Sequence, residues 1–398
     1  LRVAPRRALL VGAVATAVGA VATVPVLAAP DSDPVPVQTT AAGNSPEIPG
    51  KYIVTVKDGA SLDGPIGQVR SASRAKPRIE KLSGALNGFA AKLDAGQLNA
   101  LRNDRRVEAI EPDRVVKALT TQKAPLPWGL DRIDQRGEKL SKTYTYRSTG
   151  KGVTAYVIDD GIDVRHPDFG GRAKAAWTAP ALKDEPPSCM SHGTHVAGTI
   201  GSKTYGVAKG VQLRAVKVLD CEGNGELSDV IAGLNWVRQN AVKPAVANMS
   251  LGVEAVSPAL NKAADNLAKA GVFVSVAAGN EGNDACQSSP ASASRVMAVG
   301  ASTKYDNRAT FSDHGGCVDV FAPGYGVYST LPNGRRGGDT GTSMASPHAA
   351  GVAALYLSTR KTASSDTVFK WIIGNSTPNA LGRIPRGTPN RLLYKSNL

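Results

Sequence analysis

Three short stretches carry side chains that could share the work of moving a proton and attacking a carbonyl. Ser343 stands in Gly341-Thr342-Ser343-Met344-Ala345-Ser346-Pro347-His348, a run of small residues leading into the apolar stretch Ala349 to Leu357. A hydroxyl at the start of a helix sits among unpaired backbone N–H groups and the positive end of the dipole, donors that can steady a developing oxyanion. Serine before a helix is also an ordinary cap, so this stretch alone decides nothing. Asp159 closes the apolar run Val157-Ile158, where a strand would hold a carboxylate fixed and partly buried; Asp160 and Asp163 read as turn residues. His192 opens Ser191-His192-Gly193-Thr194-His195-Val196-Ala197-Gly198 at a helix start, while His195, one turn on among small apolar neighbours, reads as structural. The histidine pair could suggest metal ligation, but no third ligand of matching context stands near it. His166 and His314 have no comparable setting, and His348 reads as support for the helix after Ser343.

Together Asp159, His192 and Ser343 provide an orienter, a general base and a nucleophile. The imidazole must accept the hydroxyl proton, and a carboxylate on its other nitrogen fixes the tautomer and stabilises the imidazolium. The order along the chain is Asp, His, Ser. An α/β-hydrolase places Ser first, and the chymotrypsin arrangement places His first.

Holding these groups in register requires strands and helices in alternation. Buried-strand runs occur at Gly152 to Ile158, Leu213 to Leu219, Ala245 to Leu251 and Val272 to Ala278. Helical patterns fall between them at His192 to Gly201, Ser228 to Gln239 and Pro258 to Ala270. That alternation predicts an α/β domain from about Trp128 onward, with a mostly parallel sheet, helices on both faces and a site beyond the carboxyl ends of the strands. No internal repeat and no phosphate-binding glycine loop is present. A smaller α+β unit precedes it: strands at Tyr52 to Val56, Gly88 to Leu93 and Val107 to Glu111, and a helix at Ala95 to Arg102. Residues Pro30 to Pro49 and Lys117 to Pro127 have linker composition.

With 398 residues, 42% of them hydrophobic, the chain can bury a large core and holds more than one folding unit. The formal net charge of +14 is spread along it, without the basic runs or aromatic interleaving of a nucleic-acid surface. Leu1 to Arg7 is basic and Ala8 to Ala29 apolar, with Val26-Leu27-Ala28 as a small-residue cleavage pattern, which predicts a secretory signal over residues 1–29. Gly12, Gly19 and Pro25 interrupt the run and no stop-transfer cluster follows, arguing against a membrane anchor. The 4 cysteines suit two bridges in a secreted chain, although the number alone fits free buried thiols equally.

The three segments Val157 to Asp163, His192 to Gly198 and Gly341 to Gly351 closely resemble those of the subtilisin-like serine proteases, over essentially the whole chain from Trp128. Tyr205 to Lys209 and Val216 to Asp220 resemble the proteinase K branch, and the cysteine placement is similar to that of the aqualysins. The resemblance implies a subtilisin-like catalytic domain at residues 120–398, after a ferredoxin-like propeptide at 50–119 that assists folding and inhibits the enzyme within the same chain. Autocleavage would fall between Lys117 and Thr121. It implies pairing of Cys189 with Cys221 and of Cys286 with Cys317, and an oxyanion donor at Asn280 in Ala277-Ala278-Gly279-Asn280-Glu281-Gly282.

By the same likeness, Gly223-Asn224-Gly225 and Ser250-Leu251-Gly252 would pair with an extended peptide as added strands. Leu251, Gly252 and Ala277, Ala278 and Gly279 would wall the S1 pocket, with Leu227 shaping S4. None of those S1 segments contains an acid, so an apolar or aromatic P1 residue is expected. Structural calcium, a hard cation, would bind the carbonyls of Ser294 and Val296 and the carboxylate of Asp319; the chemistry itself needs no cofactor. The expectation is a secreted, monomeric serine endopeptidase of broad specificity acting on proteins and peptides, with no nucleic-acid partner. A processing protease of narrow specificity and a catalytically dead peptide-binding module are its rivals.

Overall fold

The computed structural model describes residues 33–37, 47–82, 87–114, 120–122, 127–186 and 189–398. The expected signal segment, most of the first linker and most of the expected cleavage stretch lie outside them. Two compact units are formed, Leu1–Val115 and Val116–Leu398.

The first unit runs β1 (Glu47–Val56), α1 (Asp63–Ser71), β2 (Ile79–Lys81), β3 (Gly88–Lys92), α2 (Ala95–Arg102) and β4 (Val107–Arg114). Its antiparallel sheet has the order β2-β3-β1-β4, a ferredoxin-like βαββαβ unit. Val54, Val56, Ile66, Val69, Phe89, Leu101 and Ile110 fill the space between sheet and helices. A capping box starts α2: Asp94 accepts from the Gln97 N–H at 2.9 Å, and the Gln97 side chain accepts from the Asp94 N–H at 3.1 Å.

In the second unit, β5 (Thr120–Gln122) and β6 (Tyr144–Tyr146) pair across α3 (Trp128–Ile133). There follow β7 (Thr154–Asp159), β8 (Ala173–Thr178), α4 (Ser191–Gly201), β9 (Gln212–Lys217), α5 (Leu227–Asn240), β10 (Ala245–Met249), α6 (Pro258–Lys269) and β11 (Val272–Ala277). The chain continues through β12 (Met297–Ser302), β13 (Val320–Pro323) and the hairpin of β14 (Val327–Leu331) with β15 (Arg335–Asp339). It closes with α7 (Thr342–Thr359), α8 (Ser365–Asn375), β16 (Thr377–Pro378) and β17 (Arg391–Leu392).

Nine strands lie in the order β16-β17-β13-β12-β11-β10-β7-β9-β8. All neighbours are parallel except β16 with β17. Because both faces are covered, the strands read as continuous apolar runs, and their alternation sorts residues between two cores. Along β7, Ala155 and Val157 pack with α4 and α7, while Tyr156 and Ile158 pack with α5 and α6. Strand order reverses at β7, whose neighbours β9 and β10 both come later in the chain. The crevice beyond such a switch point is where open α/β sheets bind ligands. Helix α7 is buried on every side from Met344 to Leu357, so it threads the core like a central post. Among the described residues, no helix is long and apolar enough to cross a membrane.

Candidate active site

Asp159, the last residue of β7, is fully buried. Its Oδ1 lies 2.8 Å from His192 Nδ1 and accepts the Asp160 N–H at 2.8 Å. Its Oδ2 is buried without a partner among the described residues. His192 is the second residue of α4, and its side chain is 32% exposed, so one ring edge faces solvent while the other meets the acid. Burial favours the neutral ring, but the Asp159 charge and hydrogen bond, with Asp160 and Asp339 beyond, outweigh it and raise the imidazole from 6.5 to about 9.

Asp160 does not serve its own turn. Its Oδ2 accepts the His192 N–H at 3.0 Å and its Oδ1 the Gly193 N–H at 2.7 Å, so it caps α4 from another strand. Burial and the charge of Asp159 raise its pKa from 3.8 to about 7, against the opposing pull of those amides and of His192. His195 is buried with Nε2 at 2.9 Å from the Val327 carbonyl, but its Nδ1 has no partner among the described residues, so it is only half satisfied. His348 Nδ1 meets the Met344 carbonyl at 2.8 Å.

Ser343 is the second residue of α7, inside its first turn rather than at its cap; Gly341 occupies the cap position. Its Oγ donates to the Ser250 carbonyl at 3.1 Å, and the Ser250 hydroxyl donates to the Ser343 carbonyl at 2.7 Å. Among the described residues no hydrogen bond joins Ser343 Oγ to His192. Asn248 donates from Nδ2 to Ser250 Oγ at 2.9 Å, and its Oδ1 accepts from Ser346 Oγ at 2.7 Å, tying β10 to α7.

Asn280 follows β11. Its Oδ1 accepts from the Thr342 N–H at 2.8 Å and the Thr342 hydroxyl at 2.9 Å. Those donors fix the amide so that Nδ2 is the atom left to serve another acceptor. The preceding Gly279 has φ +120°, and a Cβ there would stand 2.1 Å from Asp313 Oδ2, so only glycine fits.

Two cavities meet at Ser250 to Gly252. The larger, about 580 Å³, holds His192, Gly223, Asn224, Gly225 and Leu227; the smaller, about 200 Å³, holds Ala277, Ala278, Gly279, Asn280 and Ser343. Every substrate-contacting position expected from sequence therefore lines one or other of these two adjoining cavities. Several lining residues had not been anticipated: Asp160, Glu222 and Asp339 in the larger cavity, and Glu254, Glu281 and Asp313 in the smaller. Asp313 accepts the Glu281 and Asn283 N–H groups at 3.0 and 2.9 Å, both on Oδ1. A third cavity, about 570 Å³, lies beyond the acid's loop against Trp177 and Met190 and contains none of the candidate residues.

Cys189 is bonded to Cys221 and Cys286 to Cys317, with Cα atoms 4.9 and 5.2 Å apart. The first bridge lines the larger cavity and joins the approach to His192 to the loop carrying Gly223. Among the described residues, the one trio of metal-type ligands close together is Glu185 with Cys189 and Cys221, whose sulfurs the disulfide already uses. Elsewhere, Ser294 Oγ donates to Asp265 at 2.7 Å, Val296 is buried, and Asp319 Oδ2 accepts the Ala298 N–H at 2.9 Å. Burial raises Asp319 from 3.8 to about 6, with the Ala298 amide and Arg391 opposing.

Residues 150–391 match the family described as the subtilase family. The chain belongs to the subtilase family. It is a serine-type endopeptidase, and residues 51–119 of this subtilase match the family described as peptidase inhibitor I9. It is 46% identical over 369 residues to the extracellular serine proteinase of Thermus sp. (strain Rt41A), covering 87% of this chain and 90% of that one. It is 41% identical over 355 residues to proteinase R of Parengyodontium album, covering 88% and 89%. A solved crystal structure of a cold adapted subtilisin-like serine proteinase superposes with a TM-score of 0.66 at 45% identity, covering 68% of this chain and 98% of the other.

Proposed function

We propose that this subtilase is a secreted, monomeric endopeptidase of broad specificity that cleaves proteins through Ser343, His192 and Asp159 and matures by removing its own N-terminal segment. The observation that carries this reading is the 2.8 Å contact of His192 Nδ1 with buried Asp159, in one cleft with Ser343 at the head of α7. Asp159 keeps the Nδ1–H tautomer, so Nε2 is the nitrogen free to take a proton. The Ser343 hydroxyl turns from the Ser250 carbonyl toward Nε2, and its oxygen attacks the scissile carbonyl. The new C–O⁻ is met by Asn280 Nδ2 and the Ser343 N–H at the positive end of α7. His192 then protonates the departing amine, and water, deprotonated by the same ring, releases the acyl group from Ser343.

The S1 subsite is assigned to the smaller cavity, between Leu251-Gly252 and Ala277 to Gly279, with an apolar or aromatic P1 preference. Its walls are mostly apolar or backbone, Glu254 and Glu281 are exposed, and the one buried acid, Asp313, accepts two amides on Oδ1. Gly223, Asn224 and Gly225 with Ser250 to Gly252 pair with the peptide backbone, and Leu227 contacts P4.

Residues 1–29 act as the secretion signal, 30–49 as a linker and 50–119 as propeptide, with the catalytic domain from residue 120. Relatives named as extracellular and the inhibitor-family match support this division. Structural calcium is assigned to Asp319 with the carbonyls of Ser294 and Val296. The donor set fits, since all are hard oxygens and Asp319 is a partly buried carboxylate. Removing calcium with a chelator should lower the melting temperature of the wild type and leave Asp319→Asn unaffected; equal response of both refutes the assignment.

Labelling by a fluorophosphonate, absent in Ser343→Ala, tests the nucleophile; labelling retained in that variant refutes it. Asn280→Ala should lose about 100- to 1000-fold in turnover, as removal of one such donor does in subtilisin. N-terminal sequencing of the active form should find a start between Lys117 and Thr121, and a start near Pro30 refutes self-maturation. A peptide panel favouring Lys or Arg at P1 would overturn the S1 assignment.

A further inference from the structure

We propose that Asp160 is a positioning residue for the general base: its carboxylate clamps the backbone of His192 while its neighbour Asp159 holds the ring. The inference rests on His192 acting as that base. Two consecutive residues at the end of one strand thus fix both parts of one histidine. Asp159 holds Nδ1 at 2.8 Å, and Asp160 takes the N–H groups of His192 and Gly193 at 3.0 and 2.7 Å. The carboxylates are joined, since the Asp160 N–H donates to Asp159 Oδ1 at 2.8 Å.

Helix α4 has no cap of its own. Met190 at its cap position makes no side-chain hydrogen bond, so Asp160, 32 residues upstream, supplies what a local Ser or Asp normally would. Gly193 makes the approach possible: a Cβ there would stand 2.1 Å from the Gly161 carbonyl and 2.7 Å from Asp160 Oδ1. Asp160 is itself held from below, because buried Lys217 donates to its carbonyl at 2.8 Å.

The charged groups around Asp160 are Asp159 on β7, His192 on α4, Lys217 at the end of β9, Glu185 paired with Lys217 at 2.8 Å, and Asp339 at the end of β15. Each carboxylate added near His192 stabilises the imidazolium, so Asp160 sets both where the ring sits and the pH at which it becomes a base. It is 4% exposed, lies in the cavity wall beside His192, and each of its oxygens already accepts a helix N–H, so its carboxylate is oriented toward α4.

The test is kcat, KM and the pH profile of active-site-titrated Asp160→Asn, Asp160→Ser and Asp160→Ala against the wild type. Asp160→Asn and Asp160→Ser, which remove the charge, should move the acid limb of kcat/KM down by about one pH unit. Asp160→Ala, which also removes the acceptor, should lower kcat about tenfold with KM nearly unchanged, and Asp160→Ser should recover part of that loss. Acid limbs coincident with wild type, together with an unchanged kcat in Asp160→Ala, would overturn the proposal. If a variant does not mature, the His192 ring is titrated by NMR in the full chain carrying Ser343→Ala. A midpoint below that of the Ser343→Ala reference supports the clamp, and an equal midpoint overturns it. His192→Ala serves as the separate control: full activity there would refute the general-base reading itself, whatever Asp160 does.

Discussion

Ser343 and Ser250 exchange hydrogen bonds in both directions, hydroxyl to carbonyl each way, at 3.1 and 2.7 Å. Pro347 explains the second bond. In α7 the carbonyl of Ser343 would ordinarily accept the N–H of residue 347, but proline has none. The Ser250 hydroxyl fills that vacancy, so the residue that receives the Ser343 hydroxyl also anchors the Ser343 backbone. Ser250→Ala should therefore cost about 1 kcal/mol of stability, because a partly buried carbonyl loses its partner. Pro347→Ala supplies an N–H to the same carbonyl, so its effect should be less unfavourable in the Ser250→Ala background than in wild type. Denaturant unfolding of fluorophosphonate-inactivated protein measures the cycle, and strict additivity would refute the exchange.

The raised pKa of His192 predicts an alkaline enzyme. Only the neutral ring accepts a proton, so kcat/KM should rise about tenfold per pH unit below a midpoint near 9 and level off above it. The stability effect runs the other way. A histidine whose folded pKa lies above 6.5 contributes stability fully present below pH 6.5 and lost as pH rises through about 9. Activity and thermal unfolding measured from pH 6 to 11 should thus move in opposite directions; a rate already flat at pH 7 contradicts the assignment.

His348 behaves inversely. Burial lowers it from 6.5 to about 4, against the raising effect of the Met344 carbonyl. The unfolded chain therefore binds the extra proton between pH 6.5 and 4, and stability falls as pH drops through that window by on the order of 3 kcal/mol. His348→Leu, which cannot titrate, should flatten the slope of unfolding free energy between pH 4 and 6.5, even if its stability at neutral pH is lower. An unchanged slope would assign the acid sensitivity elsewhere.

The two disulfides should separate in their functional effect. Each closes a loop with a sequence separation of 32 or 31, for which chain entropy gives about 3 to 4 kcal/mol. Replacing Cys286 and Cys317 by Ser should lower stability and leave KM alone. Replacing Cys189 and Cys221 should also raise KM, because that bridge lines the cleft between His192 and Gly223. Equal KM values in the two double variants would refute the distinction.

Much of the core was legible because parallel strands buried on both faces leave unbroken apolar runs. Asp159, His192 and Ser343 stand at ends of such patterns, and the helix expected at Ala95 to Arg102 has the same limits as α2. Helix α1 was missed because Gly64, Pro65 and Gly67 lie inside it and no side chain caps it. Strand β15, Arg335-Arg336-Gly337-Gly338-Asp339, has no apolar period, although Asn333-Gly334 just before it is a recognisable hairpin signal. Asp160 reads as a turn residue because its partners are 32 and 33 positions away, and no local motif encodes a cap supplied across a sheet. Asp313 and Asp339 reach the cleft from loops and strand ends remote in sequence, which periodicity does not register.

The alternation along β7 makes packing and aim a single parity. Ala155 and Val157 face α4 and α7, and Asp159 continues the same odd series toward the helix that carries His192. Deleting or inserting one residue within Thr154–Asp159 would exchange the two cores' side chains and turn the carboxylate to the wrong face together. The chain cannot misplace its acid by one step and still fill its interior, so a register error reveals itself as a failure to fold before it can yield a well-packed protein with a disarmed site.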